Sequence, residues 1–384
     1  MNKETSRIVG VKAITYPEKR NFAGLEVPGF QFKKVKDFYK FPAYAYFKIK
    51  KKSHPYWLNL FQDFDSGKYD LLHFFNAASV GKKPWITTFE YYMPRGAHLP
   101  GTYPEENKYI HKVLQLMEGD SCKKLIALSE WAREAQLAYL KAANHPTDVI
   151  DSKLITIHPP QKKLLESVSE KSWDGPLKLL LVGADFFRKG GMESLEVIDN
   201  LIKSGLEIEF SIISRMQFGD YASKSTQKDV DRAKEIIQQH ESIHLYDFLS
   251  NEEVVQKMID SHLVLLPSFE ETYGYTVLEG QAAACPVITT NGTAFTEINN
   301  NEIGWVIEVE LDEHKRSVPR SDSAKTAFQQ KVKSSLEEIL MSAYHDRDLL
   351  AKKGAKALDK IERQHHPKTV ALQLQNIYNS ALND

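Results

Sequence analysis

The run His-Leu-Val-Leu-Leu at 262–266, together with the two dozen residues after it, sets the tightest limit on what this chain can fold into. It is partly β-branched, closed off by Pro267 and too short for a helix, so it suits a strand buried on both faces. A polar stretch containing Gly274 comes next, then 278–284, rich in helix formers, and then Pro-Val-Ile-Thr-Thr at 286–290, a second buried strand. Strand, glycine-containing loop, helix and strand make the unit of a parallel sheet, and such sheets bind ligands in the loops at the carboxyl ends of their strands. Glu271 and Glu279 stand eight positions apart around Gly274, so the loop and the helix start can face one ligand.

The same alternation runs through the chain. Strand signals fall at 8–14, 69–75, 84–89, 124–128 and 154–157, and again at 177–182, 208–213, 243–246 and 304–308. Helices are expected at 103–118, from an N-cap at Ser129, from Met192, and at 229–239, 251–260, 323–342, 346–363 and 368–382. The fold class is therefore α/β. A chain of 384 residues exceeds the size at which one core keeps growing, so two domains are expected. The polar, proline-bounded stretch 159–176 reads as the linker between a domain at 1–165 and one at 176–365.

Fifty basic and fifty-one acidic side chains leave a net charge of −1, which gives no global field for nucleic acid. Cys122 and Cys285 are the only cysteines and belong to no Cys/His cluster, which argues for a reducing compartment and against a cysteine-based metal site. The first residues lack the apolar core of a signal peptide, and no run approaches the roughly 18–20 apolar residues of a spanning helix, so a cytoplasmic protein is expected. Between Lys33 and Lys52 there are eight lysines and one acid, Asp37, interleaved with aromatics such as Phe38, Tyr39, Tyr44 and Tyr46; Tyr56 and Trp57 come soon after. That stretch could rest on an anionic membrane surface, making the protein peripheral on its inner face, or hold a phosphorylated acceptor. A solvated basic face with its aromatics in the core has the same pattern.

Two stretches can carry chemistry. Gly-Ala-Asp-Phe-Phe-Arg-Lys-Gly-Gly at 183–191 succeeds a strand and opens a helix. Cations beside the free amides of a helix start suit a phosphate or diphosphate, and a surface turn with two solvated cations would look alike. The spacing is neither that of a P-loop nor Gly-x-Gly-x-x-Gly, which argues against a Rossmann oxidoreductase. In the second, Tyr273, Gly274, Tyr275 and Thr276 offer main-chain amides at a helix start, with Glu271 and Glu279 as acceptors for sugar hydroxyls. Thr276 and Glu279 are also spaced as a capping box, so Glu279 can be a cap alone. The histidines, His98, His111 and the pair His365-His366 among them, show no zinc-ligand spacing and read as structural or surface residues.

The segment 271–279 resembles the E-x7-E motif of the retaining GT-B glycosyltransferases of glycosyltransferase family four. The similarity runs through 264–268 before it and 282–297 after it, and takes in 182–191 and the Ile-His-Pro-Pro junction at 157–160. The second half of the chain resembles the family well, the first only in strand order and in a few places. The resemblance implies two Rossmann-like doubly wound domains facing across a cleft. The second holds the donor, and the last helix, 366–384, packs back on the first. It also implies that Glu271 contacts the donor sugar, Glu279 the ribose, and the amides of Gly274, Tyr275 and Thr276 the distal phosphate. Lys189 matches the lysine that neutralises the diphosphate leaving group, with no divalent metal and no cofactor beyond a UDP- or GDP-linked sugar as co-substrate.

There are departures. Ala184 stands where the family often has an arginine, a charge Arg188 is placed to supply. The histidine usual at the end of an N-terminal strand falls near Phe89, next to Glu90, which is either a contact for the donor sugar or acceptor hydroxyl or a solvated strand-end carboxylate. The glycine-rich loop usual after the first strand has no counterpart except Gly24. The expectation is a metal-independent, hexosyltransferase-like enzyme. Its catalytic candidates are Glu271, Lys189, Arg188 and Glu90, with Tyr273 added to the nucleotide-sugar contacts. It would act on a saccharide or lipid-linked acceptor in surface polysaccharide or glycolipid assembly. Another GT-B enzyme, an epimerase or a phosphorylase, and a non-catalytic nucleotide-sugar-binding subunit are the alternatives.

Overall fold

The computed structural model describes residues 6–50, 59–63, 66–95, 107–219 and 221–383. Lys51, Lys52, Tyr56, Trp57 and His98, and the start of the helix expected at 103–118, lie outside the described residues. The chain divides into two compact units, Met1–Pro160 with His365–Asp384, and Gln161–Gln364.

The first unit is built on β1 (Arg7–Val11), β2 (Phe30–Lys34), β4 (Leu71–Phe75), β6 (Trp85–Phe89), β7 (Cys122–Ala127) and β8 (Leu154–Thr156), in the order β2-β1-β4-β6-β7-β8. Every pair is parallel. Two short strands, β3 (Leu60–Phe61) and β5 (Ala78–Ser79), pair beside it. The expected N-cap at Ser129 is present: its hydroxyl accepts from the Ala132 amide at 3.0 Å. The edge strand β2 runs into the start of the basic aromatic stretch and is not anticipated by the sequence pattern. Phe30 is buried while Gln31 and Lys33 are exposed, a period of two that its lysines obscure.

The closing helix Pro367–Asn383 packs on this sheet through Val370, Leu374 and Tyr378, in one cluster with Val9, Val11, Phe22 and Leu71. A buried polar joint fixes it there. His73 on β4 is fully buried, stacks on Phe22 at 3.8 Å, and pairs with Tyr378 Oη at 2.7 Å and Thr88 Oγ1 at 2.9 Å. His365 is likewise structural, its Nδ1–H donating to the Pro159 carbonyl at 2.9 Å.

The second unit orders β9 (Leu177–Val182), β10 (Ile208–Ile213), β11 (Ile243–Tyr246), β12 (Leu263–Leu266), β13 (Val287–Thr290) and β14 (Trp305–Ile307) as β11-β10-β9-β12-β13-β14, all parallel. Counted within the unit this is 3-2-1-4-5-6, the doubly wound order of dinucleotide-binding sheets. Leu177, Leu179, Leu180 and Leu181 are all buried, as helices on both faces require. Helix Asp322–His345 buries Phe328, Val332, Leu336 and Leu340, a four-residue stripe, in one core with Leu195, Ile198 and Leu201 of helix Gly191–Lys203.

Most of the stretch expected as a linker is instead held on the second unit. The amides of Leu164 and Leu165 donate to the Ala282 carbonyl, and Lys171, 6% exposed, caps helix Asn251–Asp260 by donating to the carbonyls of Ile259 and Ser261 at 2.5 Å each. Its polar sequence marks a segment whose cation is spent on a helix end.

Candidate functional site

In the second unit the strand order reverses between β9 and β12, so the connections after them leave neighbouring strand ends in opposite directions. A crevice at such a point is where open α/β sheets take ligands. The two loops there are 183–190 and 267–274, the two stretches singled out from sequence.

Arg188 fastens them together. Its main-chain carbonyl accepts from the Phe269 amide at 2.9 Å, and its Nη1 donates to the Glu270 carbonyl at 2.6 Å. Asp185 holds the guanidinium through Nε at 3.1 Å. Lys189 crosses to the second loop, where its Nζ donates to Glu271 Oε2 at 2.5 Å. The lysine stem lies so close over Gly183 that a Cβ there would come 2.1 Å from Lys189 Cδ. The two charged side chains are only 12% and 16% exposed. Burial pushes the Glu271 carboxyl up, but the charges of Lys189 and Arg188 outweigh it and hold the group below the usual carboxylate range.

The second loop is stitched from behind. Thr293 Oγ1 donates to the Glu271 carbonyl at 2.5 Å, Ser317 Oγ to that of Phe269 at 2.7 Å, and Thr290 Oγ1 to that of Ser268 at 2.9 Å. Helix Tyr275–Ala282 begins where it ends. The expected capping box is absent: the N-cap is Gly274 at φ +92°, and no side chain caps the helix. Thr276 lies inside the first turn, too late to serve as N-cap, and Glu279 falls in the second turn. Gly274 is required twice over, since a Cβ would be strained at that φ and would meet the Phe295 ring at 2.6 Å. Tyr273 is 1% exposed and packs in the interior, its ring 5.4 Å from that of Tyr275.

Lys189, Arg188 and Glu271 are thus brought together, with Gly274, Tyr275 and Thr276 at the helix start beside them. First-turn amides have no intrahelical acceptor and attract anions. Glu90 belongs to the first unit, at the end of β6, where Arg95 Nη2 lies 3.1 Å from its Oε1. Asp185, Thr293, Ser317 and Tyr221, whose hydroxyl donates to Glu270 Oε2, were not anticipated. Only the three-residue spacing of Asp185 and Arg188 carried a signal in the sequence. Among the described residues no group of three or more His, Cys, Asp or Glu side chains could hold a metal ion.

Residues 165–318 match the model of the family described as Glycosyl transferases group 1. The matched segment contains both loops and the helix start. No curated protein sequence matches the chain. Solved structures do. The Anabaena protein Alr3699/HepE in complex with UDP is similar with a TM-score of 0.57 at 12% identity, over 91% of this chain and 86% of that one. A Rickettsia africae glycosyltransferase is similar at 0.54 and 16% identity, over 92% and 86%. WaaG, described as a glycosyltransferase of lipopolysaccharide biosynthesis, is similar at 0.52 and 18%, over 90% and 86%. At such identities the likeness is one of fold: two Rossmann-like units of the GT-B class.

Proposed function

We propose that the chain is a retaining, metal-independent glycosyltransferase of family four that moves a sugar from a nucleotide-diphosphate donor to an acceptor hydroxyl. The observation that carries this reading is the junction of the 183–190 and 267–274 loops, where Lys189 and Glu271 meet beside a helix start. A sugar diphosphate asks for that combination: cations and amides for the phosphates, a carboxylate for the sugar hydroxyls. Lys189 and the amides from Gly274 to Thr276 stabilise the departing diphosphate, as an oxyanion hole stabilises developing charge. Arg188 adds its field while holding the two loops in register. Glu271 orients the sugar and Glu279 takes the ribose. The acceptor hydroxyl attacks the face from which the diphosphate leaves. Glu90 is proposed as a contact of the first unit for sugar or acceptor.

The UDP of the Alr3699/HepE complex makes UDP-sugars the first donors to try, with GDP-sugars next. The acceptor class proposed is a saccharide or lipid-linked saccharide of surface polysaccharide or glycolipid assembly. The test is to incubate the protein with each donor and a panel of such acceptors, monitoring release of nucleoside diphosphate and the anomeric configuration of the product. Transfer with retention, lost in Glu271→Ala and Lys189→Ala, is the expected result. Epimer formation, phosphate consumption, or full activity in both variants would overturn the assignment.

A further inference from the structure

The site in the second unit leaves one surface of the first unit unexplained. Five large apolar side chains between positions 14 and 49 stand in solvent: Ile14 at 39%, Tyr16 at 60%, Phe38 at 51%, Tyr44 at 61% and Ile49 at 76%. They do not come from scattered places. Ile14 and Tyr16 lie just past the carboxyl end of β1, and Phe38 and helix Lys40–Lys50 lie just past the carboxyl end of β2, its parallel neighbour at the sheet edge. The topology therefore brings both groups to one corner of the sheet. A core explanation for these side chains fails on their exposure.

Along 33–49 the outward charge has one sign. Lys33, Lys34, Lys36, Lys40 and Lys48 are exposed, and the single acid among them, Asp37, is turned inward. Its side chain is 2% exposed and its Oδ2 lies 2.9 Å from Lys12 Nζ. Nothing within the segment 33–49 offsets the outward lysines. On the helix, Lys40, Tyr44 and Lys48 succeed one another at four-residue spacing, cation, aromatic, cation, and Lys48 Nζ stands 5.0 Å from the centre of the Tyr44 ring.

We infer that this corner is a docking surface for an anionic membrane. Lysines attract acidic headgroups over a Debye length, and amphipathic aromatics and an aliphatic tip settle at the headgroup boundary. An acidic polymer would use the lysines and leave Tyr44 and Ile49 idle; the two apolar tips are what single out a bilayer. No helix of the described residues is long and apolar enough to cross a membrane, so this contact lies on the surface. It stands apart from the nucleotide-sugar reading and neither needs the other.

The test is sedimentation of the whole protein with vesicles of phosphatidylcholine alone and with phosphatidylglycerol added, at low and high salt. Binding is expected only to the acidic vesicles and is expected to weaken with salt. Replacing Lys36, Lys40 and Lys48 by Gln should lower the partition on the order of a hundredfold, since each lysine near a charged surface is worth about fivefold. The double variant Tyr44→Ser, Ile49→Ser should lower it several-fold at unchanged charge; both side chains are exposed, and thermal melts verify the fold. Absence of binding to acidic vesicles would overturn the inference. So would binding indifferent to Tyr44→Ser, Ile49→Ser, which marks a polyanion site, or dimerisation lost in that variant, which marks a surface for a second copy.

Discussion

Lys189 Nζ lies 2.5 Å from Glu271 Oε2, so the cation from one loop neutralises the carboxylate from the other where the sheet order reverses. In the proposed complex the diphosphate takes the lysine and the sugar hydroxyls take the glutamate. Each ligand half replaces the partner that the other half removes.

That exchange predicts non-additive variants. Lys189→Met or Glu271→Gln alone should lower stability by about 1–3 kcal/mol, because each leaves a mostly buried partner unmatched. The double variant should cost less than the sum, and a double-mutant cycle by denaturant unfolding measures the difference. Additive losses would mean that the two groups do not hold each other.

Gly274→Ala should lower stability by about 1–3 kcal/mol through the left-handed φ of +92° and the contact with Phe295. It should also move the amides of the helix start and weaken donor binding more than Thr276→Ala does, since Thr276 caps nothing. Calorimetric titration of both variants with a donor nucleotide reads this directly.

The two loops at the point where the sheet order reverses were legible in the sequence because short apolar runs and one glycine say strand and turn almost unaided. The capping box was not, since Thr276 and Glu279 have its spacing while Gly274 takes the N-cap, and spacing alone cannot tell N-cap from N2. The edge strand β2 was hidden because its outward positions are Gln31 and Lys33 and its inward ones Phe30 and Phe32, and with Lys34 at its end the run reads equally well as the start of a basic patch. Tyr221 reaches Glu270 from a loop 49 positions away, a contact no local pattern encodes.

Arg188→Lys should not be conservative. The guanidinium spans Asp185 and the Glu270 carbonyl at once, which an ammonium cannot reproduce in the same plane. The expected outcome is a fall in kcat/KM of roughly tenfold or more, about 1.4 kcal/mol of transition-state stabilisation, with the fold kept. Steady-state kinetics against the wild type checks it.

The first unit should be acid-labile through His73. Burial lowers its pKa from an ordinary value of 6.5 to about 3, so the unfolded chain binds the proton first. Its contribution to stability is complete above about 6.5 and is lost as the pH falls from there towards about 3. Unfolding monitored by fluorescence from pH 7.5 to 4 should show stability falling with up to one proton's slope, a slope reduced in His73→Gln.

Thermal unfolding with UDP, GDP, ADP and their sugars, on the wild type, Lys189→Ala and Glu271→Ala, tests the proposed nucleotide-sugar site most directly. A ligand bound only to the folded protein at a hundred times its Kd adds about 2.7 kcal/mol to stability. The account predicts that at least one nucleotide sugar raises the wild-type Tm and that Lys189→Ala loses this shift. In Glu271→Ala the sugar nucleotide should lose its advantage over the bare diphosphate. No shift with any of these ligands, or the full shift in both variants, would contradict it.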